Sequence, residues 1–294
     1  MLVVQIMLNG ILIGALWALL GLGKNIILGT LRFVNFAHAN FALIGMYIVY
    51  FGWASWRIEP YLLLPLAMVG LALLGLLMDR PLVRPLVARG GRAQMLATLA
   101  MLLIIQNAAT LFFGPTSKSI ITPLNTSGIQ LGSSLFVTYS LAITSALSLV
   151  VFAITWYVIN RTRFGLQVRA TAQNRESAVY NGIDIASVYG RAFACSLVLA
   201  GAVGALYAVS TPVSPTAASS LLILMFVVSI LGGLGSIAGC LLGGFAVGIL
   251  QGLAALLLPP QLLNAVVYVV FLLVILLRPQ GIMGNVAMVR EGPF

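Results

Sequence analysis

The stretch that decides the fold is residues 219–257, SSLLILMFVVSILGGLGSIAGCLLGGFAVGILQGLAALL, which contains no charged side chain. A membrane-spanning helix takes about 20 residues, so this run is too long for one crossing. It is also too uniformly apolar for a helix on a soluble surface. Its centre, Leu231-Gly-Gly-Leu-Gly-Ser-Ile-Ala-Gly239, offers glycines at which the chain can turn. We interpret the run as two passes, or as one pass and a half-helix, hinged at these glycines.

The rest of the chain has the same character. Hydrophobic residues make up 61% of the 294, charged residues 7%, and the mean hydropathy is +1.12. The other apolar runs are residues 5–27, 36–54, 60–78, 93–113, 134–159, 188–209 and 262–278. This pattern predicts an all-α polytopic membrane protein with about eight to nine transmembrane helices, in which residues 1–294 form a single transmembrane domain. The first residues lack a basic region and a cleavage site, so we expect a retained first span.

The formal net charge of +10 comes from residues in short connections between the apolar runs. Residues 79–92, residues 160–191 and the tail after 278 are rich in arginine, a distribution that fixes orientation in a bilayer and does not indicate nucleic-acid binding. We therefore expect these connections to be cytoplasmic, with 114–133 and Met1 external. All Lys and Arg side chains except Arg57 and Lys118 then lie on the cytoplasmic side.

Glycines recur at a spacing of four residues, in the sets Gly10/Gly14, Gly235/Gly239/Gly243 and Gly244/Gly248/Gly252. This spacing places them on one helix face, where a second backbone can approach closely. Packing within the chain explains each set, and a subunit interface is the alternative for the last one.

Several kinds of chemistry lack the residues they need. Gly23-Lys24-Asn25 resembles the end of a nucleotide-binding loop but lacks its first glycine and its Ser or Thr. With one histidine, two separated cysteines and five acidic residues, we expect no catalytic residue, no cofactor and no metal site. The spans also lack the buried carboxylates of ion-coupled transporters, so the energy for transport is expected to come from another subunit.

A polar cluster follows the first apolar run, at Asn35, His38 and Asn40. Residues at i, i+3 and i+5 share roughly one side of a helix, and polar groups at membrane depth face the protein interior or water. The cluster therefore predicts a polar cavity beside a translocation route. The alternative is that His38 is a packed histidine near the cytoplasmic boundary.

The connection from Arg163 to Asp184 is the most informative polar segment. Ala170 to Val179 contains neither Gly nor Pro and predicts a short helix, with Gly182 as its stop. Such a helix can dock in a groove of a partner protein. The alternative is a solvated linker whose arginines only set the topology.

Four stretches together resemble a known family. Glu176-Ser-Ala178-x-x-x-Gly182 looks like the EAA---G loop of ABC-importer permeases. The stretches Arg32-Phe-Val-Asn35-Phe-Ala-His38-Ala-Asn40-Phe, Gly232-Gly-Leu-Gly-Ser-Ile-Ala-Gly239 and Arg278-Pro-Gln-Gly-Ile-Met-Gly284 resemble the H-type permeases of branched-chain amino acid importers. The family pattern usually reads Asn-Phe-Ala-His-Gly-Glu, whereas Ala39 and Asn40 stand here in place of the Gly and the Glu.

The resemblance implies a non-catalytic permease subunit in a bacterial-type inner membrane, which forms half of an importer pore. Its implied partners are two cytoplasmic ABC ATPase subunits, a second related permease, an extracytoplasmic substrate-binding protein and membrane lipid. A segment of about residues 160–187, with Arg169, Glu176, Ala178 and Gly182, would couple to the ATPases. Gly232, Gly233, Gly235 and Gly239 would form a helix break or hinge. A permease for urea or short amides and a stand-alone small-solute channel are the alternatives.

One hypothesis concerns internal symmetry. Breaks near 32–40 and near 231–239 each precede a long apolar run, and they would be corresponding positions if the chain contained two inverted repeats.

Overall fold

The computed structural model describes residues 2–31, 34–89, 91–131, 135–259, 262–278 and 280–284. Every predicted apolar run contains a long helix, and the run 219–257 forms two helices. The helices within the described ranges are α1 (Leu2–Leu31), α2 (His38–Trp56), α3 (Leu64–Met78), α4 (Arg84–Ala88), α5 (Gly91–Phe113), α6 (Pro123–Thr126), α7 (Tyr139–Arg161), α8 (Arg163–Gln173), α9 (Arg175–Tyr180), α10 (Ile185–Ser210), α11 (Ala217–Gly232), α12 (Ile237–Ala254) and α13 (Leu263–Leu277).

The predicted all-α polytopic membrane class is confirmed. In the part of the chain that the structure describes, six helices are long and apolar enough to cross a membrane, and two shorter helices are also apolar. The six are Val3–Leu31, Pro60–Val87, Gly91–Phe113, Tyr139–Arg161, Ile185–Ser210 and Ile237–Ala254, and the shorter two are Ala217–Gly232 and Leu263–Leu277. Helix α2, with 19 residues, is comparably long and begins with the polar residues His38 and Asn40.

The basic connection predicted at 79–92 is largely helical, which corrects that prediction. A wider helical turn over Asp79–Val83 joins α3 to α4 and lets the helix continue past Pro81. The Asp79 carboxylate accepts two hydrogen bonds from Arg84, at 3.0 and 2.8 Å, and this ion pair holds the turn together.

Helices α1 and α10 form the centre of the bundle, and α10 is the most deeply buried of the six long helices. Helix α1 packs along α12 through glycines on both helices. A Cβ atom at Gly10 would lie 2.6 Å from the carbonyl oxygen of Gly248, and one at Gly14 would lie 2.9 Å from the Cα of Phe245. The glycine spacing therefore serves packing within the chain, and α1 covers the face of Gly244 and Gly248 that was an alternative subunit interface.

The connections fall into two groups at opposite ends of the bundle. We call the end with α4, α8, α9 and the turn between α11 and α12 the arginine end. At the other end, Lys118 and Val213 exchange backbone hydrogen bonds of 2.9 and 2.7 Å. The side chain of Gln5 bonds there to the backbone of Phe136. The alternation predicted from charge thus matches the way that the connections group.

A small β-hairpin at this second end was not predicted. Strands β1 (Gly128–Leu131) and β2 (Leu135–Thr138) pair antiparallel, with Gly128 opposite Thr138. The run predicted as helical from 134 therefore becomes helical only at Tyr139. Thr138 ends the strand and begins the helix, because its side-chain oxygen accepts a 3.4 Å bond from the amide of Leu141.

The two predicted breaks lie toward the same end, and the first contacts α11, which leads into the second. The ring of Phe36 lies 5.2 Å from that of Phe226 in α11, and Asn25 of α1 bonds to the turn that follows α11. An axis in the membrane plane would place corresponding positions at opposite ends. The position of these two breaks does not support their pairing, and the hypothesis of inverted repeats stays a prediction.

Candidate coupling and translocation site

Two short helices at the arginine end form the predicted coupling segment, where the sequence predicted one helix over Ala170–Val179. They separate at Asn174, whose extended backbone ends α8 and whose side-chain oxygen caps α9 through a 2.9 Å bond from the amide of Ser177. Thr162 caps α8 in the same way, through a 3.2 Å bond from the amide of Gly165. The absence of a side chain at Gly165 lets this turn pack against the carbonyl oxygen of Ile159 at the end of α7.

Helix α9 presents the predicted coupling residues in different ways. Ala178 is 3% exposed and anchors the helix on the bundle, whereas Glu176 is exposed. Tyr180 is 89% exposed and Val179 is 54% exposed, so a large apolar surface surrounds the carboxylate. Gly182 has φ of +76°, a left-handed conformation that suits glycine and ends the helix as predicted.

Arg169 of α8 links the coupling segment to the hinge. Its guanidinium donates a hydrogen bond to the carbonyl oxygen of Ile159. It also lines a cavity of about 350 Å³, together with Asn25 of α1 and Gly235 of the turn after α11. Sequence reasoning placed Arg169 and Gly235 in separate groups, and the structure brings them to one cavity.

The predicted hinge is a tight turn between α11 and α12. Gly233 and Gly235 have φ of +111° and +77°, which favour glycine. Gly232 and Gly239 face each other so closely that a Cβ atom on either would overlap the other's carbonyl oxygen. Ser236 starts α12 by accepting a 3.0 Å bond from the amide of Gly239.

Asn25 holds this turn from α1. Its amide nitrogen lies 3.1 Å from the carbonyl oxygen of Gly233, 3.3 Å from that of Ser236 and 3.0 Å from the sulfur of Cys240. Sequence reasoning assigned Asn25 no role. The available signal was a Lys-Asn pair inside an otherwise apolar run.

The terminal motif covers the end of α11. The amides of Ile282 and Met283 donate to the carbonyl oxygens of Leu231 and Gly232, at 2.8 and 3.0 Å. These carbonyls lie in the last turn of α11, where a helix has no bonding partners of its own. Two of the stretches that carried the family resemblance are thus in direct contact.

The polar cluster differs from its prediction in geometry. Helix α2 begins only at His38, so Asn35 precedes it, and the argument from a shared helical side does not apply. All three side chains are buried, but they face different neighbours. His38 Nδ1 lies 3.2 Å from the hydroxyl of Ser196 in α10, the Asn35 oxygen accepts from the amide of Ala37, and the Asn40 nitrogen donates to the carbonyl oxygen of Leu102 in α5. Arg32 and Phe33, which precede the cluster, are outside the described residues.

Two buried atoms of this cluster have no hydrogen-bond partner, Asn35 Nδ2 and His38 Nε2. Beside them lies Lys24, which is 3% exposed and whose ammonium nitrogen is 3.3 Å from the centroid of the Phe226 ring. Lys24 belongs to the interior of α1, which rules out the nucleotide-binding loop it resembles in sequence. Within the described ranges, no group of three His, Cys, Asp or Glu side chains could hold a metal ion.

Residues 6–276 match the family described as the permease component of branched-chain amino acid transport systems. The high-affinity branched-chain amino acid transport system permease protein BraD of Pseudomonas aeruginosa is 28% identical, over 96% of this chain and 95% of its own length. The probable branched-chain amino acid transport permease protein LivH of Methanocaldococcus jannaschii is 30% identical, over 85% of this chain and 80% of its own. The LivH protein of Escherichia coli K12 is 26% identical over 96% and 95%. No solved structure matches the chain significantly.

Proposed function

Because the chain belongs to the permease components of branched-chain amino acid transport systems, we propose that it forms half of the pore of an ATP-driven importer for branched-chain amino acids. It is a multi-pass protein of the bacterial inner membrane. Its proposed partners are two ABC ATPase subunits at the arginine end, a second permease beside it, and a substrate-binding protein at the opposite end. Membrane lipid covers exposed apolar side chains such as Leu77 and Leu277.

The observation that carries the ATPase docking is the surface of α9. Val179 and Tyr180 are exposed on a helix that Ala178 anchors to the bundle, and Glu176 stands beside them. A short helix with apolar anchors and one charge fits a groove on a partner. Glu176, Ala178 and Gly182 then supply the contact, the anchor and the turn.

Movement of α8 has a direct path to the hinge. Arg169, Asn25 and Gly235 line one cavity, and Asn25 bonds to the carbonyls of Gly233 and Ser236. When ATPase closure shifts α8, the cavity changes shape and α11 turns relative to α12 about Gly232–Gly239. The permease performs no covalent chemistry in this cycle.

The translocation route runs beside residues 35–40 in this proposal. Asn35 and His38 retain one unpartnered nitrogen each in the buried interior, which a polar solute or water satisfies when the helices separate. Asn40 joins α2 to α5 at the edge of the route. Because the Asn40 amide is bonded to a helix carbonyl, its difference from the family's usual Glu does not favour an amide solute.

The test is charge reversal by Glu176→Lys, with Glu59→Lys as a matched control. Both carboxylates are exposed, but they lie at opposite ends of the bundle. We expect Glu176→Lys to leave membrane levels unchanged, because surface substitutions change stability by about 0.5 kcal/mol or less. ATPase co-purification in mild detergent and leucine uptake should both fall, whereas Glu59→Lys should keep its ATPase.

Two outcomes contradict the proposal. If both variants retained the ATPase equally, α8 and α9 would be a solvated linker and not a docking site for the ATPase. Purified parent chain that brings no ATPase with it, yet conducts small solutes in liposomes, would establish a stand-alone channel. Uptake of urea or short amides in place of leucine by the reconstituted complex would change the proposed substrate but not the proposed ATP-driven importer.

A further inference from the structure

Lys24 is a buried lysine without an acidic partner among the described residues. It lies seven residues before the end of α1 at Leu31, which is about 10 Å inside the helix end at 1.5 Å per residue. No carboxylate of the described residues lies within 4 Å of its nitrogen. The buried acid among them, Asp79, is paired with Arg84. The ring of Phe226 is the contact that the ammonium makes in this conformation.

A ring face compensates only part of the desolvation of an ammonium group. A methionine or leucine at this position would avoid that penalty. Ionisable residues at membrane depth that face the protein interior mark functional positions. Lys24 is therefore expected to meet an anion at another stage of the transport cycle.

The buried polar atoms without a partner in this region are one acceptor, Asn25 Oδ1, and two nitrogens, on His38 and Asn35. His38 Nδ1 lies 3.2 Å from the hydroxyl of Ser196, and when that hydroxyl donates to Nδ1 the ring hydrogen resides on Nε2. This Nε2 is buried without a partner and faces Gly23, since a Cβ atom at Gly23 would lie 2.7 Å from it. Gly23 directly precedes Lys24, so the unused nitrogen faces the turn of α1 that carries the lysine.

The segment before His38 adds a second donor. Asn35 Nδ2 is buried and unpartnered, and the next residue, Phe36, places its ring 5.2 Å from the Phe226 ring that covers Lys24. A lysine ammonium group against an aromatic ring, with two unused nitrogens in the neighbouring segment, is complementary to an anion attached to an apolar body. A branched-chain amino acid has this form, with a carboxylate and an aliphatic side chain.

Resting on the proposed function, we propose that Lys24 binds the carboxylate of the amino acid in transit. When α1 and α11 separate, the ammonium leaves the Phe226 ring and pairs with the carboxylate, while the N–H groups of His38 and Asn35 bond to its oxygens. In the present conformation the Lys24 nitrogen contacts the Phe226 ring, so the site is closed to the substrate.

The experiment uses the complete complex in liposomes, with ATPases, partner permease and saturating leucine-loaded binding protein. Lys24→Met should lower the rate of leucine uptake by about tenfold or more, the loss expected for a hydrogen bond to a charged group. Lys24→Arg should restore most of the rate. Lys118→Met is the matched control, because Lys118 also lies over aromatic rings, 5.0 Å from that of Phe51, but at the opposite end.

A second measurement separates binding from folding. Because Lys24→Met removes an unpaired buried charge, its unfolding temperature should equal or exceed that of the parent, and its partners should still co-purify. Phe226→Leu removes the ring and leaves the charge in place, so its unfolding temperature should lie below that of Lys24→Met.

Parental uptake in Lys24→Met would overturn the proposal and leave the importer function intact. A lower unfolding temperature in both Lys24→Met and Phe226→Leu would instead make the cation–ring contact structural. If the partner permease no longer co-purified with Lys24→Met, the anion that pairs with Lys24 would belong to that permease and not to the substrate, which would overturn the proposal. If the parent complex imports no amino acid, the proposed function fails first and the Lys24 site falls with it.

Discussion

Gly248→Ala tests the close approach of α1 and α12 with one added methyl group. A Cβ atom at Gly248 would overlap the carbonyl oxygen of Gly10 and lie 2.8 Å from the Cα of Gly14. Both obstacles are backbone atoms, so no side chain can rotate away and the helices must separate. Overpacking of this kind costs about 1–3 kcal/mol.

The control is Gly70→Ala in α3, where the added atom would meet only the Cδ1 of Ile48, at 3.4 Å. Alanine is the better helix former by about 1 kcal/mol, so this variant should be as stable as the parent or more stable. Thermal unfolding of purified protein in mild detergent measures both variants.

The size of the expected shift follows from the size of the chain. At about 2–4 °C per kcal/mol, Gly248→Ala should unfold several degrees below the parent. Uptake by the reconstituted complex should fall with it, because α1 also carries Asn25 to the hinge. An unfolding temperature for Gly248→Ala equal to that of Gly70→Ala would refute the proposed packing of α1 against α12.

Three further predictions follow from the ends of the bundle and from its buried amides. In a variant without its native cysteines, single cysteines at Ser117 and Ser177 should react with an impermeant maleimide from opposite sides of the membrane; reaction from one side would contradict the topology. Asn40→Asp should lower protein levels, because the Asn40 amide donates to a helix carbonyl and a carboxylate there would be buried and unpaired. The expected destabilisation is about 3–5 kcal/mol. Normal protein levels with altered solute uptake would place the side chain in the translocation route. Asn25→Leu should lower stability by about 1–3 kcal/mol, because it leaves buried carbonyl oxygens without a hydrogen-bond donor. The control Asn181→Ala, which removes one exposed hydrogen bond, should change stability by about 0.5 kcal/mol or less. Equal unfolding temperatures for the two variants would show that the hinge does not depend on the Asn25 amide.

The long helices and some of their ends were predictable from the sequence because the signals are local. The glycines in the run 219–257 predict a turn, and Gly233 and Gly235 in that turn adopt positive φ. Gly182 ends α9 for the same local reason. The hairpin was not predictable, because Leu135–Thr138 is apolar and adjoins α7, so a strand and a helix give the same composition there.

The environment of each polar residue was not predictable, because it depends on distant partners. Asn25 meets Gly233 and Ser236 across more than two hundred residues of chain. Lys24 precedes Asn25 and, in sequence alone, resembles the end of an incomplete nucleotide-binding loop. Its environment depends on Phe226 and His38, which come from other helices. Spacing along one helix suggested a joint role for Asn35 and Asn40, but the helix begins after the first of them.

The pairing of α1 with α12 also has a consequence for biosynthesis. Helix α1 leaves the ribosome well before the helix it packs against, which begins only at Ile237. Roughly 200 residues separate them, which takes on the order of 10–40 s at about 5–20 residues per second. During that interval the glycine face of α1 and the charge of Lys24 lack their final neighbours. Helix α1 therefore stays without its packing partner until α12 has been made, and truncated chains that end before α12 should be degraded.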